Sequence, residues 1–203
     1  MKIALVGATG HAGSRILREL ADRGHDISAI VRQPDRVPSL PGVTAKKADV
    51  LDRDALPAAV QGHDLMISSL LFTHGDPAIL IDTARHSGVA RYIVVGGAGS
   101  LQIDSGQTLL EAGFVPAPYV EESRAAARFL ERLRETEDLD WTFISPSAEF
   151  FEGERTGRFR IGGDRLLRDE QGRSSISYED FAVALADEIE QPRHRRGRFT
   201  VGY

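Results

Sequence analysis

The stretch GATGHAG, residues 7–13, places three glycines in seven positions directly after the apolar run KIALV. Glycine in a helix costs about 1 kcal/mol relative to alanine, so this cluster at a helix start needs a chemical reason. Gly7 allows a sharp turn, Gly10 leaves room for a phosphate beside the backbone, and Gly13 lets a helix lie close to a sheet. The free N–H groups at such a helix start favour an anion. This glycine turn, as we call residues 7–13, predicts a site for the diphosphate of a dinucleotide, and a turn without a ligand is the alternative.

The end of the second apolar run indicates which dinucleotide is bound. An acidic side chain there would bind both hydroxyls of the adenosine ribose, but the run ends in Val31-Arg32, and Arg36 follows four residues later. Two guanidinium groups suit a 2′-phosphate. The pair therefore favours NADP(H), with NAD(H) as the second choice. Two solvated arginines in a polar loop are the alternative.

Other candidate cofactor contacts follow the later strands. Asp49 and Val50 come after the third strand, where the Asp49 carboxylate could accept from the adenine amino group or cap a helix together with Asp52. Further contacts are expected at the ends of the fourth, fifth and sixth strands: Ser68, Ser69, Leu70, Leu71, Gly96, Gly97 and Pro146. Gly96 and Gly97 belong to a run that is glycine-rich either for close cofactor approach or to present Ser100 to a substrate.

The pair of residues that short-chain dehydrogenases use for proton transfer is incomplete in this sequence. Short-chain dehydrogenases use a Tyr-x-x-x-Lys pair in which lysine lowers the pKa of tyrosine. The nearest match here is Tyr119 followed by Ser123, and the chain contains lysine only at positions 2, 46 and 47. Ordinary alcohol–ketone chemistry is therefore disfavoured. Ser100 and Tyr119 are the catalytic candidates, and the catalytic residues stay unknown at this point.

Two further groups have competing interpretations. Phe150 and Phe151 could stack on a planar substrate, although core packing is the commoner role of such residues. The basic run at 193–198 is expected to be a solvated turn rather than a nucleic-acid patch.

Strand-like and helix-like segments alternate along the chain. Apolar runs predict strands at 3–6, 27–31, 43–48, 64–71, 92–95, 141–144 and 199–201, and helical spacing predicts helices at 11–23, 52–60, 78–86, 121–136 and after a capping box at 177–180. A hairpin is expected around 162–164. Such alternation predicts an α/β, Rossmann-like, doubly wound and mainly parallel sheet with helices on both faces. We expect one domain, 1–203, in which 145–203 contributes a small substrate-side region.

Composition limits the other possibilities. The chain has 203 residues, a formal net charge of −5, 41% apolar residues and no cysteine. The acidic balance disfavours nucleic acid and anionic membranes as partners, and the lack of cysteine excludes disulfides and thiol nucleophiles. The six histidines show no metal-ligand spacing, so no metal site is predicted. The strand-like beginning differs from a signal peptide, and we expect a cytoplasmic monomer or homodimer.

Several segments together resemble a known family: KIALVGATGHAG, IVRQPDR, RYIVVGGAGSL, DLDWTFISPSAEFFEGERTGRFRIGGDRLL and ISYEDFAVALADEIEQPRH. They are similar to the bacterial NADH-flavin reductases, which are atypical short-chain dehydrogenases of NmrA-like, NAD(P)H-binding fold related to biliverdin reductase B. The resemblance runs almost end to end. It implies no Tyr-Lys pair, Arg32 and Arg36 on the 2′-phosphate, and a cofactor cleft built from Gly7, Ala8, Thr9, Gly10, His11 and Ala12.

Two functions fit these observations. The first is an NAD(P)H-dependent reductase, NADPH-preferring, that passes hydride to a free flavin or another planar acceptor such as a quinone. Flavin is then a substrate rather than a tightly bound cofactor, and its conjugated ring takes up the charge without a dedicated acid. The second is a non-enzymatic, NmrA-like sensor that binds NADP(H) and reports redox state to a protein. Sugar-nucleotide or isomerase chemistry is disfavoured by the missing lysine.

Overall fold

The structure, a computed structural model, describes residues 1–203. Its strands are β1 (Lys2–Val6), β2 (Asp26–Val31), β3 (Val43–Lys47), β4 (Leu65–Ser68), β5 (Arg91–Val95), β6 (Trp141–Pro146), β7 (Glu149–Phe151), β8 (Arg160–Gly162), β9 (Ser175–Ser177) and β10 (Gly197–Gly202). Its helices are α1 (His11–Asp22), α2 (Ala55–Val60), α3 (Pro77–His86), α4 (Val120–Arg134) and α5 (Tyr178–Glu190).

Eight strands form the central sheet, in the order β3-β2-β1-β4-β5-β6-β10-β8. The first seven in this order pair in parallel, and only β8 at the edge is antiparallel. The strand order reverses between β1 and β4, so a crevice forms there beyond the carboxyl ends of the strands. The predicted Rossmann-like, mainly parallel sheet is confirmed. Strands β7 and β9 form a separate two-stranded sheet.

Helices cover both faces because the side chains of the central strands alternate between two apolar clusters. In β1, Ile3 and Leu5 belong to the cluster that includes residues of α1 and α5. Ala4 and Val6 belong to the second cluster, with residues of α2, α3 and α4. Strands that are buried on both faces read as continuous apolar runs, which is why the sequence made them easy to locate.

Only one of the two hydrogen bonds of the predicted capping box is present at the start of α5. The Ser177 hydroxyl accepts a hydrogen bond from the Asp180 backbone N–H at 3.0 Å. The fully buried Asp180 carboxylate does not bond back to the cap. It accepts instead from the Thr156 hydroxyl, the Gly157 N–H and the Tyr203 hydroxyl, at 2.5, 2.8 and 2.8 Å. It therefore joins α5 to the segment after β7 and to the C-terminus.

The expected hairpin around 162–164 is wrong in its pairing. Strand β8 pairs with β10, whose other neighbour is β6. The chain after Gly162 pairs with a different partner, since the Leu166 N–H donates to the Gln102 carbonyl at 2.9 Å and the Gln102 N–H donates to the Asp164 carbonyl at 2.8 Å. The open edge of β10 supplies unpaired backbone groups, and these compete successfully with the local hairpin.

Element boundaries also differ from expectation at the carboxyl edge. Strand β4 ends at Ser68 rather than at residue 71, and β6 continues to Pro146 rather than stopping at 144. None of the helices has the length and apolarity needed to cross a membrane.

Candidate cofactor-binding site

Two glycines of the glycine turn are required by packing within the protein. Gly7 has φ of +86°, a left-handed conformation that favours glycine. A Cβ on Gly7 would overlap the Ser69 carbonyl oxygen, and a Cβ on Gly13 would overlap the Gly7 carbonyl oxygen. The loop after β4 and helix α1 therefore both lie directly against the turn, at distances that side chains would prevent.

Gly10 is different, because nothing inside the protein requires glycine there. Its φ and ψ of −74° and 175° are extended values that any residue adopts. A Cβ on Gly10 would lie 3.5 Å from the Gly7 carbonyl oxygen, which is an ordinary contact, and the residue is exposed. The missing side chain thus leaves space on the outside of the turn, where a group from solution can approach the backbone.

The start of α1 offers donors to such a group. The backbone N–H groups of His11 and Ala12 have no acceptor within the protein. No side chain caps the helix at Gly10, and its first turn contains no acidic residue. The positive end of the helix dipole is therefore uncompensated and faces the space left by Gly10, an arrangement that suits a diphosphate.

The two predicted arginines lie in one cleft with the glycine turn. A cleft of about 390 Å³ is lined by Thr9, Arg32, Gln33 and Arg36. A short helical turn at Pro34–Arg36 brings the second guanidinium back beside the first. Both arginines are exposed and neither forms an ion pair or a side-chain hydrogen bond, although Asp35 lies between them in the sequence. The cleft is thus lined by two unpaired cations and no carboxylate, and it suits a phosphate group.

Asp49 and Asp52 have separate roles in the structure. The Asp52 carboxylate accepts from the Ala55 N–H at 2.8 Å and so begins α2. The exposed Asp49 carboxylate accepts from the Leu51 N–H at 3.0 Å, a local turn that leaves its second oxygen free. Val50 is half-buried and packs against the apolar cluster on the α2 side of the sheet. The helix-capping alternative therefore belongs to Asp52, and an adenine contact by Asp49 stays a prediction.

The loop after β4 lines the glycine turn, as expected for Ser69 and Leu70. The Leu70 side chain and the Ser69 carbonyl are the groups that a Cβ on Gly7 would meet. Ser68, which was expected to line the same path, is instead buried and bonded to the Tyr92 hydroxyl at 2.7 Å. Ser68 is the last residue of β4, and its hydroxyl lies on the face of the sheet that carries Tyr92.

A carboxylate on α4 holds this loop in place. Glu122 accepts from the backbone N–H of Phe72 at 2.6 Å, and from the N–H and hydroxyl of Thr73 at 3.0 and 2.8 Å. The Phe72 ring packs edge-on against Phe129 of α4, with 5.3 Å between ring centroids. We call residues 69–73 the β4 loop; its position is set by α4.

The glycines after β5 have an internal explanation that neither sequence interpretation gave. A Cβ on Gly96 would overlap the Phe143 ring, and a Cβ on Gly99 would lie 2.7 Å from the Ser123 Cβ. Gly97 has only an ordinary contact, with the Ala126 Cβ at 3.4 Å. Close packing of β5 on β6 and α4 therefore accounts for Gly96 and Gly99, and only Gly97 is left without an internal reason for being glycine.

Ser100 is engaged by a buried arginine rather than left free for a substrate. The Arg198 guanidinium donates to the hydroxyls of Ser100 and Ser145, each at 3.3 Å, and pairs with the Asp164 carboxylate. The Arg198 side chain is only 3% exposed, and burial lowers its pKa. The expected solvated turn at 193–198 is therefore wrong for Arg198, which ties β10 to the loop after β5.

The remaining catalytic candidate, Tyr119, lies directly before α4 and is 63% exposed. Ser123, one turn later, packs on Gly99, so the position of the usual lysine is occupied by a small side chain in contact with the loop after β5. Tyr119 therefore has no lysine partner one helical turn away.

Pro146 and the two phenylalanines are placed differently from expectation. Pro146 is buried as the last residue of β6 and pairs with Val201, so it lies within the strand rather than just after it, and its contact with the cofactor stays a prediction. Phe150 packs into the core against Phe181, with 4.9 Å between ring centroids. Phe151 is 42% exposed. Of the two rings, only Phe151 is left available for a planar substrate.

Sequence reasoning missed Tyr178, which the structure places beside the glycine turn. The rings of Tyr178 and His11 stack with centroids 5.7 Å apart and planes inclined by 16°. Burial raises the pKa of Tyr178, and the charges of Tyr119, Glu152 and Glu179 act in the same direction against that of Arg15. The sequence around Tyr178 indicates only a capping box, because the contact of Tyr178 with His11 joins residues that are 167 positions apart along the chain.

Comparison with known proteins agrees with this geometry. A family model described as NAD(P)H-binding matches residues 7–192. The chain is 35% identical to the Bacillus subtilis protein YwnB, over 99% of this chain and 98% of that protein. A solved structure of a Bacteroides thetaiotaomicron protein provisionally named an epimerase is 39% identical, with a TM-score of 0.94, and covers 100% of this chain and 96% of that one. A Streptococcus pneumoniae protein provisionally named an NADH-flavin reductase is 32% identical, with a TM-score of 0.87, and covers 100% and 99% of the two chains.

Proposed function

This chain belongs to the NAD(P)H-binding family, and on that premise we propose that it is an NADPH-preferring reductase of free flavin or another planar acceptor such as a quinone. The family assignment supports NAD(P)H binding and oxidoreductase chemistry in general. The preference for NADPH and the nature of the acceptor are the parts that we propose.

One observation carries the choice of cofactor. Arg32 and Arg36 line a single cleft together with Thr9 and Gln33, and no carboxylate lines that cleft. Two unpaired guanidinium groups leave a cationic site with donors for a phosphate monoester. A ribose with two free hydroxyls would gain little from them. This supports NADP(H) over NAD(H).

The chain's own residues fit such a cofactor at three points. The space beside Gly10 and the free N–H groups of α1 would hold the diphosphate, the arginine pair the 2′-phosphate, and the β4 loop and Gly97 the part of the cofactor nearer the nicotinamide. When bound, NADPH supplies a hydride to the acceptor, which also gains one proton from water, so that NADP⁺ and the two-electron-reduced acceptor leave. The protein's contribution is to hold the two rings together in the orientation that hydride transfer needs.

The absence of the Tyr-Lys pair supports a conjugated acceptor. Reduction of an isolated carbonyl needs an acid to protonate the forming alkoxide, and Ser123 stands where the lysine partner of Tyr119 would be. A flavin or quinone spreads the transferred charge over its own ring system and does not need that acid. The epimerase name of one relative stays with that relative, since the same missing pair argues against such chemistry here.

Steady-state oxidation of NADPH tests the proposal. With riboflavin, FMN or menadione as acceptor, we expect turnover well above the uncatalysed rate, with kcat/KM for NADPH exceeding that for NADH. The variant Gly10→Ala tests the diphosphate site. Its extended backbone and its 3.5 Å contact allow alanine, so it should fold like the wild type and lose at least tenfold in NADPH affinity. NADPH binding without turnover on any of these acceptors would reject the reductase.

A redox sensor is the second candidate, and the exposed apolar side chains favour it. Leu71, Phe114 and Tyr119 are each more than half exposed. Large exposed apolar residues can mark a protein-binding surface. Equal affinity for NADP⁺ and NADPH, with no hydride transfer to any acceptor, is the outcome that would favour the sensor.

A further inference from the structure

The crevice has two ends that differ in charge. The sheet order places the arginine cleft on the β2 side of β1, so an extended dinucleotide crossing the glycine turn must continue toward β4, β5 and β6. That second half of the crevice is flanked by Tyr119 at the start of α4 on one face of the sheet and by Tyr178 at the start of α5 on the other. It is where an acceptor would meet the reduced cofactor.

The cation beside Tyr178 is already neutralised. Arg15 lies one helical turn after His11, with its guanidinium over the Tyr178 ring at 5.8 Å from the centroid. It is paired with Glu152 at 2.5 Å and with Glu179 at 2.9 Å. Glu179 also accepts from the Gly153 backbone N–H at 2.9 Å. Two carboxylates thus surround one guanidinium, and the group carries a net charge of −1.

The surplus negative charge is turned toward solvent. The Glu152 side chain is 73% exposed, whereas the Arg15 side chain is 25% exposed. Glu149, on the adjoining strand β7, is also exposed. At the other end of the crevice, Arg32 and Arg36 have no carboxylate partner at all. An anion that approaches the acceptor end beside Glu152 would therefore meet repulsion from this surplus charge.

We propose that the acceptor reduced at this site is a planar ring system that carries no negative charge, so that riboflavin or an uncharged quinone is preferred over FMN or a sulfonated quinone. This inference rests on the proposed reductase function and specifies its substrate class. It follows from the surplus carboxylate at Glu152 and Glu179 beside Tyr178.

Paired acceptors of different charge test the inference in the full-length protein. The probes are riboflavin with FMN, and menadione with 1,2-naphthoquinone-4-sulfonate, at saturating NADPH. At low ionic strength we expect kcat/KM to be at least about fivefold higher for the neutral riboflavin than for FMN. The preference should shrink in about 0.5 M salt, because screening shortens the range of the repulsion. Equal or better use of FMN at low salt would overturn the inference.

A charge-removing variant locates the source of the preference. Glu152→Gln should raise the ratio of FMN to riboflavin kcat/KM roughly threefold at low salt, the size expected for one unit charge several ångströms away in a high dielectric. Glu137→Gln is the matched control, since it makes the same change in net charge in the loop before β6, at the opposite edge of the sheet. An equal shift in both variants would assign the effect to net charge and overturn the inference.

The two proposals fail in distinguishable ways. NADPH binding without reduction of any of the four probes rejects the reductase, and the acceptor inference with it. Reduction of all four probes with no dependence on their charge keeps the reductase and rejects only the acceptor inference.

Discussion

At the scale of single residues, the site is distinguished by residues whose types are not explained by any contact inside the protein. Gly10 lacks a packing reason to be glycine, and Arg32 and Arg36 lack carboxylates, while many other arginines of the chain are paired. Unpaired groups at one place indicate a ligand more strongly than any one of them does alone.

The variant Arg32→Ala tests the phosphate assignment. We expect NADPH affinity to fall by about tenfold or more, since a hydrogen bond to a charged group contributes roughly 1.5–3 kcal/mol, and we expect NADH affinity to change by less than about twofold. Titration of both nucleotides measures the difference. Arg18→Ala, another exposed arginine without a partner, is the control. Equal losses for NADPH and NADH would show that Arg32 does not bind the 2′-phosphate.

At the scale of elements, the crevice is shaped by contacts between segments that are far apart in the chain. The β4 loop lies on the glycine turn at Gly7 and is itself held by Glu122 of α4. Helix α4 thus acts on the turn through a loop that it does not adjoin in sequence. Glu122 is in this sense a positioning residue rather than a catalytic one.

Replacing Glu122 by glutamine tests this positioning role. The amide can no longer accept with both ends, so one of the three bonds to Phe72 and Thr73 is lost or reversed. We expect KM for NADPH to rise roughly three- to tenfold with kcat nearly unchanged, because the loop shifts against the turn by an ångström or less. Steady-state kinetics and the melting temperature measure the split. Glu121→Gln removes the neighbouring exposed carboxylate, which pairs only with Arg124, and similar kinetic effects of the two variants would refute the proposed role of Glu122.

At the scale of the whole molecule, the segment after β7 is joined to the helices that it crosses by buried carboxylates. Glu19 of α1, itself 6% exposed, accepts from Arg155 at 2.8 and 2.9 Å. Asp180 of α5 binds Thr156 and Gly157. Residues 152–157 lack regular secondary structure, so these polar contacts rather than backbone pairing fix their position beside the crevice.

The Glu19 pair predicts a pH dependence of stability. Its hydrogen bond with Arg155 lowers the pKa of Glu19 despite burial, and Arg23 acts in the same direction. A carboxyl group with a folded-state pKa below its unfolded value stabilises the protein above the unfolded pKa, and this stabilisation is lost as the pH falls through the folded pKa. Glu19→Gln should therefore lower the free energy of unfolding by about 2 kcal/mol at pH 7, and by progressively less below about pH 4.

Denaturant unfolding between pH 7 and pH 3 measures this difference. Glu131→Gln, which removes an exposed carboxylate paired with Arg134, is the control and should change stability by less than about 0.5 kcal/mol. A Glu19→Gln deficit that stays constant down to pH 3 would contradict the lowered pKa.

The sequence alone determined the features that local pattern encodes. Continuous apolar runs located the central strands because parallel strands are buried on both faces, and the alternation of strands with helices specified the Rossmann-like sheet. The glycine turn and the positions of Arg32 and Arg36 were also readable, because the turn lies within seven residues and the arginines follow directly on a strand. Such features depend on near neighbours in the chain.

Only the tertiary structure decided what distant residues do to one another. Arg198 belongs in the sequence to a basic run that predicts a solvated turn, but in the structure it binds Asp164 and Ser100. Tyr178 is in the sequence an ordinary residue of a helix start, but in the structure its ring stacks on His11. In the sequence, Gly96 and Gly99 belong to a glycine-rich run that suggests space for a ligand. In the structure, Phe143 and Ser123 occupy the space that side chains at these two positions would need. Burial and pairing are properties of three-dimensional neighbours, and an isolated polar or small residue carries no local sign of the partner that the fold will bring to it.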